Sequence, residues 1–172
     1  LDSADELALI RSELKRHLPP FNAETVPGLT HNVLAGRIAN RLDLNGPAYM
    51  VDAACASALI AAEQGIRELK SGHCDAVIIG GVQVSTPGMV TKAFCHLEAL
   101  SKTGKIAPFS AEANGTLLGQ GCGMLVLKRR RDALRDGNRI YALLRAVGVS
   151  SDGKGSGLLA PSQQGQELAV RR

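Results

Sequence analysis

Four cysteines occur in the sequence, at positions 55, 74, 95 and 122. Cys55 stands where the pattern of the chain changes. Before it, Ala48 to Val51 reads as a short strand; after it, Leu59, Ala62, Ile66 and Leu69 share one helical face. A thiol at such a strand-to-helix junction meets free backbone N–H groups and the positive end of a helix dipole, which favour the thiolate. The same N–H groups can hold the oxyanion formed when the sulfur attacks a carbonyl, with the N–H of Cys55 itself as one donor. The small neighbours Ala53, Ala54 and Ala56 leave room for a substrate. This is the logic of a nucleophile elbow with sulfur in place of a serine oxygen. The alternative for any cysteine is a packed small hydrophobe, and the junction alone leaves that alternative open.

The elements that would position Cys55 follow from spacing. Ser3 and Glu6 form a capping box, Leu7, Ile10, Leu14 and Leu18 recur at helical intervals, and Pro19-Pro20 stops the helix. A second helix is expected from about Thr30, with Leu34, Ile38 and Leu42 on one stripe, ending before the Asn45-Gly46 turn. The helix after Cys55 carries a Glu63–Arg67 i,i+4 pair and ends at Ser71-Gly72. Ala76 to Ile79 reads as a short buried strand followed by Gly80-Gly81, and Thr86 to Asn114 as a loop-rich stretch. Met124 to Leu127 and Ile140 to Val149 are strand candidates, with a short helix at Asp132 to Arg135 between them. Residues 150–165 are rich in Gly and Ser, and Gln166 to Arg172 opens another helix. Helices and strands alternate, so the class is α/β. Both ends read as cut from something larger.

Composition sets the outer bounds. The 172 residues are 45% hydrophobic and 21% charged, ordinary for a globular chain, with 19 glycines, 3% aromatics and a net charge of +4. The cysteines show no C-x-x-C spacing and no leader precedes them, so they are expected to be free thiols in a reducing, cytoplasmic setting. No apolar run approaches the ~20 residues of a membrane span. Gly148, Gly153 and Lys154 approximate a P-loop, but Gly155 stands where Mg²⁺ needs a Ser or Thr. The positive run Lys128 to Arg131 reads as a solvated face, with contact to an acidic protein partner as the alternative, and few aromatics argue against nucleic acid. The adjacent pairs His73-Cys74 and Cys95-His96 lack any zinc spacing, so no metal is expected. Gly119, Gly121 and Gly123 alternate as in a closely packed strand.

The run Val51 to Ser57 (VDAACAS) closely resembles the active-site motif of ketosynthases, the β-ketoacyl synthase domains of polyketide and polyunsaturated fatty-acid synthases. The resemblance continues in the family's order through Asn32 to Pro47 (NVLAGRIANRLDLNGP), Ser71 to Val82 (SGHCDAVIIGGV), Leu97 to Phe109 (LEALSKTGKIAPF), Gly115 to Lys128 (GTLLGQGCGMLVLK) and Tyr141 to Gly153 (YALLRAVGVSSDG). It covers nearly the whole chain. Two positions depart from the family: Ser110 replaces an Asp after Pro-Phe, and Gln120 replaces an acidic residue between two glycines. Both are read as tuning, and the resemblance implies that the alternating Gly119, Gly121 and Gly123 pack near the acyl site.

The resemblance implies a thiolase-like fold with layered α-β-α architecture, of which residues 1–172 supply the nucleophile-bearing half. It implies that Cys55 accepts an acyl group from the phosphopantetheine thioester of an acyl carrier protein. A malonyl-type extender thioester would then lose CO2 and attack the acyl-Cys55. It implies no directly bound cofactor, and a homodimer in the intact domain. The family also uses two histidines, in an H-G-T-G-T motif and a later N-x-x-H type motif, and a Gly-Phe-Gly stretch beside the oxyanion hole. None of these occurs here, and His17, His31, His73 and His96 lie in other contexts. The chain alone is therefore expected to load an acyl group but not to condense. The rival readings are a thiolase, which shares the fold and a nucleophilic Cys, and a non-catalytic pairing subunit or structural half-domain.

Overall fold

The computed structural model describes residues 3–18, 22, 23, 25–84, 88–155, 157 and 160–172, the side chains of Ser3 and Val26 excepted. The chain divides after Met50 into two compact units.

In the first unit, α1 (Ser3–His17) has Asp5 and Glu6 in its first turn and Lys15, Arg16 and His17 in its last, each charge opposing the helix dipole. Leu7, Ile10 and Leu14 recur as expected but are all exposed. The expected Pro19-Pro20 stop lies outside the described residues. A one-turn helix α2 (Val26–Leu29), with a proline in its first turn where no N–H is required, was not foreseen. Helix α3 (Val33–Arg41) starts three residues later than expected. The N–H groups of Val33 and Leu34 reach back to Thr30 and His31, which form the preceding turn.

The second unit is built on α4 (Ser57–Ser71) and a two-stranded sheet. Helix α4 ends as expected: Gly72 adopts the left-handed conformation, φ +81°, and its N–H returns to the carbonyl of Leu69. Strand β1 (Ala76–Gln83) runs antiparallel to β2 (Gly121–Lys128), with Ala76 opposite Lys128 and Gln83 opposite Gly121. Both strands outrun their expected spans. Gly80 and Gly81 belong to β1, and a side chain at Gly80 would run into the Gly123 carbonyl across the ladder.

The small core lies between α4 and β1, where Ala62, Gly65 and Leu69 are buried with Ile79. Two glycines allow this approach. A β-carbon on Gly65 would lie 2.9 Å from Ile79 Cγ2, and one on Gly81 would lie 3.3 Å from Ala58 Cβ. The inward face is thus set by Ala62, Gly65 and Leu69. Leu59, expected on that face, is 64% exposed.

Residues 88–114 are loop-rich as expected but hold one helix, α5 (Gly88–His96), whose Met89 faces outward. Two further expectations fail. Ala48 to Val51 and Ile140 to Val149 are not strands. Among the described residues nothing pairs with either, and a strand exists only through its ladder. The Met50 N–H is instead accepted by Asn32 Oδ1 at 3.2 Å. Helix α6 (Arg130–Arg135) matches expectation to within two residues. Helix α7 (Gln163–Arg171) begins earlier than expected because Ser162 caps it, its hydroxyl accepting the Gly165 N–H at 3.1 Å.

Candidate active site

The chain reaches Cys55 through an abrupt turn. Ala53 has φ −135° and ψ 35°, and residues Ala54–Ala56 form a single 3-10 turn leading straight into α4. Ala54 holds φ +49°, a left-handed conformation that an alanine adopts only under constraint. The constraint is visible. The Asp52 carboxylate (Oδ1) accepts the Ala54 N–H at 2.9 Å. The Ser57 hydroxyl accepts the Ala53 N–H at 2.9 Å and donates to the Ala54 carbonyl at 2.7 Å. The backbone closes the rest: Ala56 N–H bonds the Ala53 carbonyl and Ser57 N–H bonds that of Ala54.

From Ala53 to Ser57, therefore, four N–H groups are engaged, and that of Cys55 alone has no partner among the described residues. The Cys55 side chain is exposed. An accessible thiol, its own free N–H and the N-terminus of a 15-residue helix meet at one point. That arrangement suits attack on a carbonyl whose oxygen becomes negative. Sequence reasoning placed Cys55 at a helix start. It missed Asp52 and Ser57, although an Asp two residues before a turn N–H and a Ser at a helix start are both familiar backbone-binding positions.

The remaining readings fall elsewhere. Each of the four histidines is exposed. His17 pairs with Glu13 at 3.3 Å and His73 with Glu68 at 3.2 Å, both local contacts. No group of metal-ligating residues is found among the described residues. Gly119, Gly121 and Gly123 are not a packing stripe, since nothing among the described residues lies within 4 Å of where their β-carbons would be. In the near-P-loop segment, Ser150 Oγ donates to the Gly165 carbonyl at 2.6 Å, so that segment lies against α7.

The positive run is only partly a solvated face. Arg129 turns inward, its side chain 19% exposed. It donates to the carbonyls of Leu69 (2.9 Å) and Cys74 (2.8 Å), to Asp75 at 2.6 Å, and to Asp132. Asp132 is held below the usual carboxylate range, first by the hydrogen bond from Arg129 and then by the charges of Arg129, Arg135 and Arg131, against an opposing effect of burial. Asp136 is lowered too, by hydrogen bonds from Arg135 and Lys128.

Comparison with known proteins decides the family. Residues 8–133 match the family described as Beta-ketoacyl synthase, N-terminal domain. The chain belongs to the β-ketoacyl synthase family. It is 38% identical over 168 residues to a polyunsaturated fatty acid synthase polypeptide of Thraustochytrium sp., covering 98% of this chain and 6% of that protein. It is 40% identical over 143 residues to a phenolphthiocerol/phthiocerol polyketide synthase polypeptide of Mycobacterium tuberculosis, covering 83% of this chain and 8% of the relative. Among solved structures, the ketosynthase from module 6 of the bacillaene synthase of Bacillus subtilis 168 superposes with a TM-score of 0.76 at 35% identity, over 80% of this chain and 24% of that one. The Streptomyces albus oxazolomycin ketosynthase domain KS7 gives 0.73 at 28% identity, over 82% and 27%. The fold is the thiolase-like α/β fold of these ketosynthases. The chain spans about a quarter of the length of these ketosynthase structures.

Proposed function

We propose that residues 1–172 are part of a ketosynthase domain and that Cys55 is its acyl acceptor. The Cys55 thiolate attacks the carbonyl of an acyl group carried as a phosphopantetheine thioester by an acyl carrier protein. The oxyanion takes a hydrogen bond from the Cys55 N–H. Collapse of this intermediate forms the Cys55 thioester and expels the pantetheine thiolate, which takes up a proton. In the intact domain a malonyl-type thioester then loses CO2, and the resulting enolate carbon attacks the Cys55 thioester. A C–C bond forms, the C–S bond breaks, and the thiolate is restored with release of a β-ketoacyl thioester.

The observation that carries this reading is the one N–H of the elbow without a partner among the described residues, which belongs to the same residue as the exposed thiol. That the domain extends beyond these residues is supported by β2, whose Leu125 and Val126, on opposite faces, are 59% and 73% exposed.

The test is acyl loading. The chain is incubated with an acyl thioester of a phosphopantetheinylated carrier protein, and adducts are mapped by peptide mass spectrometry. The expected result is one acyl group on Cys55, abolished by Cys55→Ala. Acylation of the exposed Cys95 or Cys122 at equal rate, or persistence in Cys55→Ala, would refute the assignment. No adduct on any thiol would favour a non-catalytic role.

A further inference from the structure

We propose that Asp52 and Ser57 are positioning residues for Cys55, fixing the peptide that aims its N–H at the reacting carbonyl; this rests on the reading of Cys55 as acyl acceptor. Ala54 is the strained residue of the turn. Its φ of +49° is a conformation that glycine adopts freely and alanine does not. With φ negative at Ala54, the peptide joining Ala54 to Cys55 turns over and the Cys55 N–H points elsewhere. An unbraced alanine would relax in that way. Three side-chain hydrogen bonds oppose it: Asp52 Oδ1 to the Ala54 N–H, and Ser57 Oγ to both the Ala53 N–H and the Ala54 carbonyl. They grip the peptide groups on either side of Ala54, from opposite ends of the turn. Neither side chain bonds the N–H of Cys55. The brace occupies the Ala53 and Ala54 N–H groups, backbone carbonyls take those of Ala56 and Ser57, and the Cys55 N–H is left for a ligand oxygen.

The brace predicts a separation of two reactions at one sulfur. Alkylation by iodoacetamide builds no oxyanion and needs only an accessible thiol. Acyl transfer needs the aimed N–H, and a displaced oxyanion donor costs about 10–100-fold in rate. In the full chain, Asp52→Ala and Ser57→Ala are expected to slow acylation of Cys55 by an acyl-carrier thioester by that factor, seen in the maximal rate and not in half-saturation. Alkylation of Cys55, measured against Cys95 as internal standard, should change less than threefold. Asp52→Asn keeps an acceptor oxygen and should recover most of the acylation rate. Asp52→Ala combined with Ala54→Gly should do the same, because glycine holds the conformation without help. This double variant also serves if Asp52→Ala alone does not fold.

The proposal is overturned if wild-type Cys55 is acylated and both alanine variants acylate as fast. It is also overturned if Ala54→Gly fails to restore Asp52→Ala, or if alkylation falls in step with acylation. If wild-type Cys55 is alkylated but never acylated, the acyl-acceptor reading fails and the brace proposal fails with it.

Discussion

The helix that follows Cys55 packs closely on β1, and one substitution tests that approach with two opposing effects. Gly65→Ala in mid-helix should gain about 1 kcal/mol, because glycine loses more backbone freedom than alanine on helix formation. The new β-carbon, however, would sit 2.9 Å from Ile79 Cγ2, about 1 Å inside ordinary contact. Ile79 is buried and branched at Cβ, so its methyl cannot swing away and the helix must lift. Overpacking of this kind costs about 1–3 kcal/mol. The net expectation for Gly65→Ala is a loss of roughly 0–2 kcal/mol. Ile79→Leu keeps the volume but removes the β-branched methyl, and alone should cost less than about 1.5 kcal/mol. In that background Gly65→Ala should become stabilising by about 1 kcal/mol, giving a coupling of roughly 1–3 kcal/mol between the two sites. Urea unfolding of the four proteins measures it, with the m-value as a check that the transition itself is unchanged. Additive effects, or Gly65→Ala stabilising the wild type by the full propensity gain, would mean that α4 does not rest on Ile79.

Three other substitutions address the remaining junctions. Arg129→Lys should lower the melting temperature nearly as much as Arg129→Ala, because an ammonium cannot replace a planar donor set that serves Leu69, Cys74, Asp75 and Asp132 together. The pH dependence of the melting temperature should show the lowered carboxyls. Asp132 and Asp136 have folded-state pKa values below their ordinary 3.8, so the stability they contribute is complete above about pH 4 and is lost as pH falls through the lowered values. Asp132→Asn should flatten the Asp132 share of that acid limb, and an unchanged limb would remove Asp132 from the account. Gly115→Ala should destabilise by at least the ~1–3 kcal/mol of a backbone forced out of its allowed region, measurable by thermal melting. Gly115 sits at φ +139° with its β-carbon site 2.5 Å from the Leu100 carbonyl carbon, where the chain bridges Leu100 to Thr116.

What the sequence disclosed and what it hid divide along a physical line. Helix α4 was legible from Cys55 to Gly72 because a helix satisfies its hydrogen bonds within itself, so local spacing and a terminal glycine suffice. Ala48 to Val51 and Ile140 to Val149 have the composition of strands, but composition cannot supply a partner, and the described residues offer none. Gly65 escaped notice for another reason. Apolar periodicity records side chains, and the residue that allows α4 onto the sheet has none. Helix α5 carried a signal that went unread: Val90, Ala93, Phe94 and Leu97 recur at helical spacing. At the site itself, the residue proposed to bear the chemistry was legible by type and position. The two that fix its backbone did not, because Asp52 and Ser57 bond main-chain atoms two to four residues away, and such contacts follow from a turn geometry that spacing alone does not specify.

The charge run makes the same point in reverse and ties the site to the fold. Lys128 to Arg131 looked uniform, yet the corner between β2 and α6 turns Arg129 inward, onto the carbonyl of Leu69. Leu69 lies in the last turn of α4, and Cys55 precedes its first residue by two positions. One helix of roughly 22 Å is therefore held at three places: by the Ser57 hydroxyl beside Cys55, by the Gly65–Ile79 contact in its middle, and by Arg129 at its far end. The first fixture sets the local geometry of the turn, and the other two set where the helix lies on the sheet. A nucleophile that must present both its sulfur and its own N–H to one carbonyl needs both kinds of fixture, because each governs a different error: rotation of a peptide, and displacement of the helix that carries it.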